Sequence, residues 1–281
     1  MTTPNGVGLT SVLVAEARAR ESRRADRLFE DPFAQRFVDA SGWQPSAESR
    51  RTTADRYGFT WVSLRTRFLD DVLREALDDG CTQVVLLGAG LDTRALRLGI
   101  EVPVFELDTA EVHAFKRSVL HEPSSRVEVV ADLREDWPDT LRALGFRADR
   151  RTAWIAEGVL LYLSAAEVEA VLTQVSALSV PGSVFGTTLT PAGYLDRIET
   201  PAEPDGDPLA PGNVAAMWRS DGPADPAGWF AGFGWRATVF RPGERARAYG
   251  RDFPDNPNPN RLLVSAVRET PAPRPDTGTP R

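Results

Sequence analysis

The sequence predicts an α/β protein with a mostly parallel sheet and helices on both of its faces. Three observations predict it. The uncharged run Gln83 to Leu87, Q-V-V-L-L, has no alternating polar side, which suits a strand buried on both faces. That run stops at Gly88-Ala89-Gly90, where two glycines let the backbone turn tightly and let a ligand approach, and Asp92 or Thr93 can cap the helix begun by Arg94, Ala95 and Leu96. From there strand-like and helix-like stretches alternate as far as Thr190, the order of parallel strands joined by crossover helices. In such folds the carboxyl ends of the strands open on the crevice that binds nucleotide-like ligands.

In chain order, residues 1–80 read as a helical cap, 81–269 as the α/β core, and 270–281 as a disordered tail, all within a single domain. From Thr10 to about Arg27 a Thr or Ser cap leads an Ala-rich, Arg-studded helix. Asp31-Pro32 opens a second helix with Phe33, Phe37 and Val38 on one face. The polar, turn-rich stretch from Gly42 to Gly58 reads as a mobile surface segment, and Trp61 to Leu77 as an amphipathic helix turning Leu64, Phe68 and Val72 inward. Past the glycine turn, strands are expected at Val102–Leu107, Arg126–Val130, Thr152–Ala156 and Ser183–Thr188. Helices are expected at Ala110–Leu120, Trp137–Leu144 and Ser164–Leu178, the last with a capping box of Ser164 and Glu167. An insertion at about 190–230, rich in Pro, Gly and Asp, reads as a lid with a helix from Asn213 to Arg219. Two more strands, 235–240 and 262–268, are joined by a long irregular link.

Composition narrows the function. Of 281 residues, 33 are basic and 40 acidic, a formal charge of −7 with no basic stripe, so nucleic acid is not an expected partner. Cys81 is the single cysteine and His113 and His121 the two histidines, which leaves no cysteine or histidine metal centre and fits a reducing, cytoplasmic setting. Both histidines read as surface residues. The first ten residues lack the order of a signal peptide and no apolar run is long enough to span a membrane, so no membrane partner is expected.

The chemistry is expected at the strand ends: Gly88 and Gly90, then Glu106 and Asp108, then Asp132, then Glu157. Asp108 follows Gly90 by 18 residues, where a carboxylate accepts hydrogen bonds from a ribose diol, or alternatively caps the next helix. Asp132 and Leu133 stand where an adenine amino group and ring would lie, although an Asp in A-D-L-R-E-D also suits a loop cap. Glu157 ends the buried strand W-I-A and needs a cationic or donating partner, which a ligand amino group would supply.

The ordered set L-L-G-A-G-L-D-T-R, F-E-L-D, A-D-L-R-E-D-W and A-E-G-V-L-L-Y-L, with the N-terminal A-R-A-R-E-S-R-R-A-D-R-L-F-E-D-P-F-A and R-T-R-F-L-D-D, resembles the leucine carboxyl methyltransferase family. That family belongs to the class I methyltransferases dependent on S-adenosyl-L-methionine, and the likeness is to its bacterial branch with polyketide O-methyltransferases. It covers about residues 6 to 188. The resemblance implies a Rossmann-like core with S-adenosyl-L-methionine as cofactor. It places Gly88 at the methionine part, Asp108 at the ribose, Asp132 and Leu133 on the adenine side, and Glu157 at the amino-acid end. It brings Arg65, or its neighbour Arg67, and Arg18, or Arg20, to the cofactor carboxylate, a planar pairing that suits guanidinium. Tyr162 either borders the methyl-transfer site, positioning the acceptor, or is a core aromatic. Trp218 and Arg219 of the insertion are expected to meet an aromatic, anionic acceptor.

A sulfonium methyl is already activated, so transfer asks for in-line approach and exclusion of water more than for acid–base groups. The expected reaction is O-methylation of a carboxylate or hydroxyl on a small, natural-product-like molecule, by a monomer or homodimer. Three other readings compete. One is a peptide or protein C-terminal carboxyl methyltransferase. Another is a non-catalytic protein that binds S-adenosyl-L-methionine. The third is a nicotinamide-dependent oxidoreductase, weakened because Thr93 stands where a dinucleotide fingerprint has its third glycine.

Overall fold

A computed structural model of the chain describes residues 4–44, 58–197, 206–253 and 261–270. Much of the segment read as mobile, the 254–260 stretch of the late link and the tail beyond Thr270 lie outside them.

Three helices come first: α1 (Val7–Ser22), α2 (Ala34–Ser41) and α3 (Gly58–Asp78). Strands β1 (Gln83–Leu87), β2 (Val104–Asp108), β3 (Arg126–Val130), β4 (Thr152–Ala156) and β5 (Val184–Leu189) then alternate with α4 (Arg94–Arg97), α5 (Ala110–Val119), α6 (Trp137–Ala143) and α7 (Ala165–Ala177). The insertion carries α8 (Pro211–Ala215), and α9 (Pro226–Gly232), β6 (Trp235–Phe240), α10 (Pro242–Ala248) and β7 (Leu262–Arg268) close the fold.

All seven strands form one sheet in the order β3-β2-β1-β4-β5-β7-β6. The pairs from β3 to β5 are parallel, and β7 runs antiparallel between β5 and β6. Alternate residues of each strand supply opposite faces. Val85, Leu87, Phe105, Trp154 and Ala156 face one way, into a core closed by α6, α7 and α9. Val84, Leu86, Val104, Ala153 and Ile155 face the other way, where Trp61, Leu64, Phe68, Leu69, Val72 and Leu73 of α3 cover them. A third cluster joins Val12 and Ala15 of α1, Phe37 of α2 and Phe115 and Val119 of α5, so the helical cap is anchored by its own apolar contacts beside the sheet.

Several local expectations are corrected. α1 starts at Val7 behind Gly6, and the Thr10 and Ser11 hydroxyls donate back to the carbonyls of Val7 and Gly8 inside the helix instead of capping it. The link between β6 and β7 contains α10, which starts on Pro242 in the first turn, where a missing N–H costs nothing. The insertion helix sits earlier than read, again because proline, here Pro211, opens it. His113 is buried at 1 % exposure, because α5 turns it toward β3, where its Nε2 lies 3.3 Å from the Val129 carbonyl oxygen. His121 is exposed. The capping box on α7 is present. Among the described residues no helix is long and apolar enough to cross a membrane, and no group of three or more metal-ligating side chains occurs.

Candidate functional site

The carboxyl ends of β1, β2 and β4 open into a cavity of about 320 Å³, roofed by α1 and α3 and closed on one side by Val214 and Trp218 of the insertion. Why it forms is local. β1 must stop where the chain leaves the sheet, and Gly88 and Gly90, at φ of +61° and +49°, supply the left-handed turn. At Gly88 a Cβ would stand 2.4 Å from Val159 Cγ2, so the bare backbone also lets the β4 loop pack against the turn.

Asp108 closes β2 against that turn. Its Oδ2 accepts the Gly90 N–H at 2.7 Å and its Oδ1 accepts the Thr109 N–H at 2.7 Å. The helix cap is Thr109, whose side chain accepts from Val112 N, so Asp108 is not spent on capping. A carboxylate has about four acceptor sites, and two backbone donors leave capacity on the face that lines the cavity.

Behind the cavity lies a buried ionic network that the sequence reading did not anticipate. Arg94, 1 % exposed, pairs with Asp70 at 2.8 Å, with Glu157 at 2.6 Å and with Asp92. Arg97 also pairs with Asp70, Arg65 reaches Glu157 at 2.9 Å, and Arg18 reaches Asp31 at 3.0 Å. The Arg18 guanidinium also donates to the Leu91 carbonyl, while Thr93 Oγ1 donates to Asp31. Thus Arg18, Arg65, Arg94 and Arg97 face Asp31, Asp70, Asp92 and Glu157, and buried charges of this kind are tolerable only when matched. Burial pushes the Glu157 carboxyl up, but the guanidiniums of Arg94 and Arg65 outweigh it and hold it below the usual range. Burial acts likewise on Asp92 and is overcome by Arg94 and Arg18, which hold that carboxyl well below the usual range. Arg94 itself is pushed up, because its three carboxylates outweigh desolvation. Arg65 is lowered by burial, only partly offset by Glu157.

Not every candidate reaches the cavity. Gly88, Gly90, Asp108, Glu157, Arg18, Arg65, Tyr162 and Trp218 line it. Arg20 instead pairs with Glu16 and stacks on Phe59, and Arg67 pairs with Asp71 and donates to the Leu28 carbonyl. Tyr162 Oη lies 3.4 Å from Thr10 Oγ1, tying the β4 loop to α1. Asp132 stands beside Asp108 at the end of β3, since Ala131 N–H donates to the Asp108 carbonyl, but its carboxylate is held by Arg134. Leu133 packs into the core, and neither lines the cavity. Arg219 points away: it is exposed and pairs with Glu167 at 3.0 Å, because its backbone is tied to the Leu161 carbonyl at the mouth of the β4 loop. Glu106 is buried in its own triad with Lys116 and Arg126, away from the ligand side.

Comparison with known proteins gives the family. The leucine carboxyl methyltransferase model matches residues 11–176, from α1 to the end of α7, and so includes the turn, Asp108 and the whole ionic network. The chain belongs to the leucine carboxyl methyltransferase family. A protein of Streptomyces avermitilis classed as an S-adenosyl-L-methionine-dependent methyltransferase is 43 % identical, with 94 % of this chain and 96 % of the relative covered. Another so classed, from Frankia alni, is 44 % identical over the same shares. The crystal structure of a DUF574 family protein from Streptomyces avermitilis superposes with a TM-score of 0.57 at 14 % identity, covering 91 % of this chain and 97 % of that one, a likeness of fold. This family member is therefore a methyltransferase with a Rossmann-like core, and the nicotinamide reading is set aside.

Proposed function

We propose that this family member moves the methyl group of S-adenosyl-L-methionine to an oxygen, carboxylate or hydroxyl, of a small-molecule acceptor. Methyl transfer and the identity of the donor follow from the family and its relatives. The observation supporting a small acceptor is that the space beside the donor residues is bordered by side chains of α1, Tyr162 and Trp218 within that one cavity.

The residues present fit the donor. Asp108 offers acceptor capacity for a ribose diol beside a bare glycine turn, and Arg18 and Arg65 bring guanidiniums to the same wall for a carboxylate. Glu157, already held by Arg65 and Arg94, would accept from an amino group without a change of protonation, being ionised at neutral pH. Asp132 and Leu133 are assigned to the adenine side from the place of the β3 end beside Asp108, with Arg134 sharing the Asp132 carboxylate. When bound, the donor supplies a sulfonium-activated methyl, so the chain has to orient and desolvate and has no metal or redox step to perform.

Tyr162 and Trp218 border the remaining space and position the acceptor, while α1 excludes water. A carboxylate acceptor is ionised at neutral pH and needs no base. The test is transfer of labelled methyl to a panel of carboxylic acids and phenols, followed by alkali. Label lost in alkali marks an ester, and label retained on a phenol marks an ether. Label on nitrogen or carbon alone would sink the O-methylation reading. Tyr162→Phe should lower turnover several-fold with donor affinity unchanged.

A further inference from the structure

A second cavity, of about 280 Å³, is bounded by the β4 loop, the start of α7, the end of β5, the return of the insertion and α9. Of its lining residues only Leu161 also lines the first cavity. The returning chain that closes it is tied down at three points. Arg219 N–H donates to the Leu161 carbonyl at 2.7 Å, Ser220 Oγ to the Leu160 carbonyl at 3.4 Å, and Gly222 N–H to the Thr190 carbonyl at 3.1 Å. A Cβ at Gly222 would stand 2.1 Å from that Thr190 oxygen, so only bare backbone passes there.

The polar groups on this wall are of one kind. Glu169 of α7 and Asp221 of the insertion line it, and no lysine, arginine or histidine does among the described residues. Neither carboxylate is in an ion pair among the described residues; the nearby Arg219 pairs with Glu167 instead. Asp221 Oδ1 accepts the Leu195 N–H at 2.9 Å, which leaves Oδ2. Thr190 is a second, independent sign. It is 8 % exposed and lines the cavity, and its hydroxyl has no hydrogen-bond partner among the described residues yet is not sealed off, so it opens on the cavity.

We propose that this second cavity binds a small organic cation, an ammonium group on an apolar body. An ammonium has three donors and no acceptor, and Asp221, Glu169 and the Thr190 hydroxyl are acceptors without a cation of their own. The Trp229 ring adds a face that attracts positive charge, and Leu160, Val168 and Leu189 suit the carbon body. An anion would meet two like charges and no counter-charge. The inference stands apart from the donor reading, because neither the cavity nor the probes involve the donor.

The test is an NMR titration that follows the indole N–H signals, with that of Trp229 assigned by its loss in Trp229→Phe. The probes are 2-phenylethylamine and hexylamine, each against the alcohol of the same skeleton. At least one amine should shift the Trp229 signal saturably and bind at least fivefold more tightly than its alcohol. Asp221→Asn, which keeps an oxygen for the Leu195 N–H, combined with Glu169→Gln should weaken that amine at least tenfold and change the alcohol less than twofold. Each single substitution should cause part of that loss, which keeps the test open if the double variant folds poorly. Equal binding of amines and alcohols, or undiminished binding by the variants, would overturn the proposal. So would a response at the Trp61 or Trp218 indole with none at Trp229, or no response to either amine.

Discussion

Arg94 shows how much a single buried side chain is asked to do. It joins α4 to Asp70 of α3, to Glu157 at the end of β4 and to Asp92 of the glycine turn, so three walls of the cavity are registered through one guanidinium. Arg94→Met should destabilise the fold by about 3–5 kcal/mol, because buried carboxylates lose their counter-charge. Urea unfolding of parent and variant measures it, and a loss under 1 kcal/mol would show the network to be dispensable. The acid limb follows from the same contacts. Glu157 is depressed below its ordinary 4.5, so its stabilisation is complete above about pH 4.5 and is lost as the pH falls toward the folded value. The gap in thermal midpoint between parent and Glu157→Gln should therefore be widest at pH 7 and narrow on acidification below pH 4.5. A gap independent of pH would contradict the assignment of charge. At this scale the sequence was legible where chemistry is local. Asp108 could be found from its distance beyond Gly90, and its orientation is now seen to come from the Gly90 and Thr109 N–H groups. Arg94, Asp70 and Asp92 sat in quoted motifs, but nothing along the chain says that they meet, since their pairing is made by tertiary packing.

At the scale of elements, the glycine turn is the joint between sheet and cavity. Gly88→Ala meets two penalties: roughly 1–2 kcal/mol for a left-handed φ on a residue with a Cβ, and a clash with Val159. Pairing it with Val159→Ala should recover the steric part alone, which unfolding midpoints of the single and double variants would show. The strands were legible because buried parallel strands read as unbroken apolar runs, as β1 and β4 do. α10 was not, because R-P-G-E-R-A-R-A has neither an apolar stripe nor good propensity in its first turn, and its buried residues are Pro242 and Ala246 alone, the latter set by packing on the α3 side of the sheet. His113 misled for a related reason. On a helix read alone a lone imidazole looks like a surface residue, whereas the face of α5 carrying Val112, Lys116 and Val119 is turned wholly inward.

Over the whole molecule, the parallel, doubly covered part of the sheet followed from the alternation of strand and helix, but the strand order and the far wall of the cavity did not. That wall brings together Trp61, Trp218 and Arg261, which span 200 residues and share no motif. If α1 and α8 close over the ligand, hydrogen exchange across Val7–Ser22 and Pro211–Ala215 should slow when S-adenosyl-L-homocysteine binds, while exchange in α6 stays as it was. The central proposal is that the cavity is the donor site, with Asp108 as its ribose anchor. Titration calorimetry of S-adenosyl-L-homocysteine into the parent protein and into Asp108→Asn measures this most directly. The predicted result is one site per chain, weakened at least tenfold by the substitution in a variant that stays folded at the titration temperature, its thermal midpoint lowered only by the one backbone hydrogen bond that an amide nitrogen cannot accept. Equal affinity in the two proteins, or no binding to the parent, would contradict it.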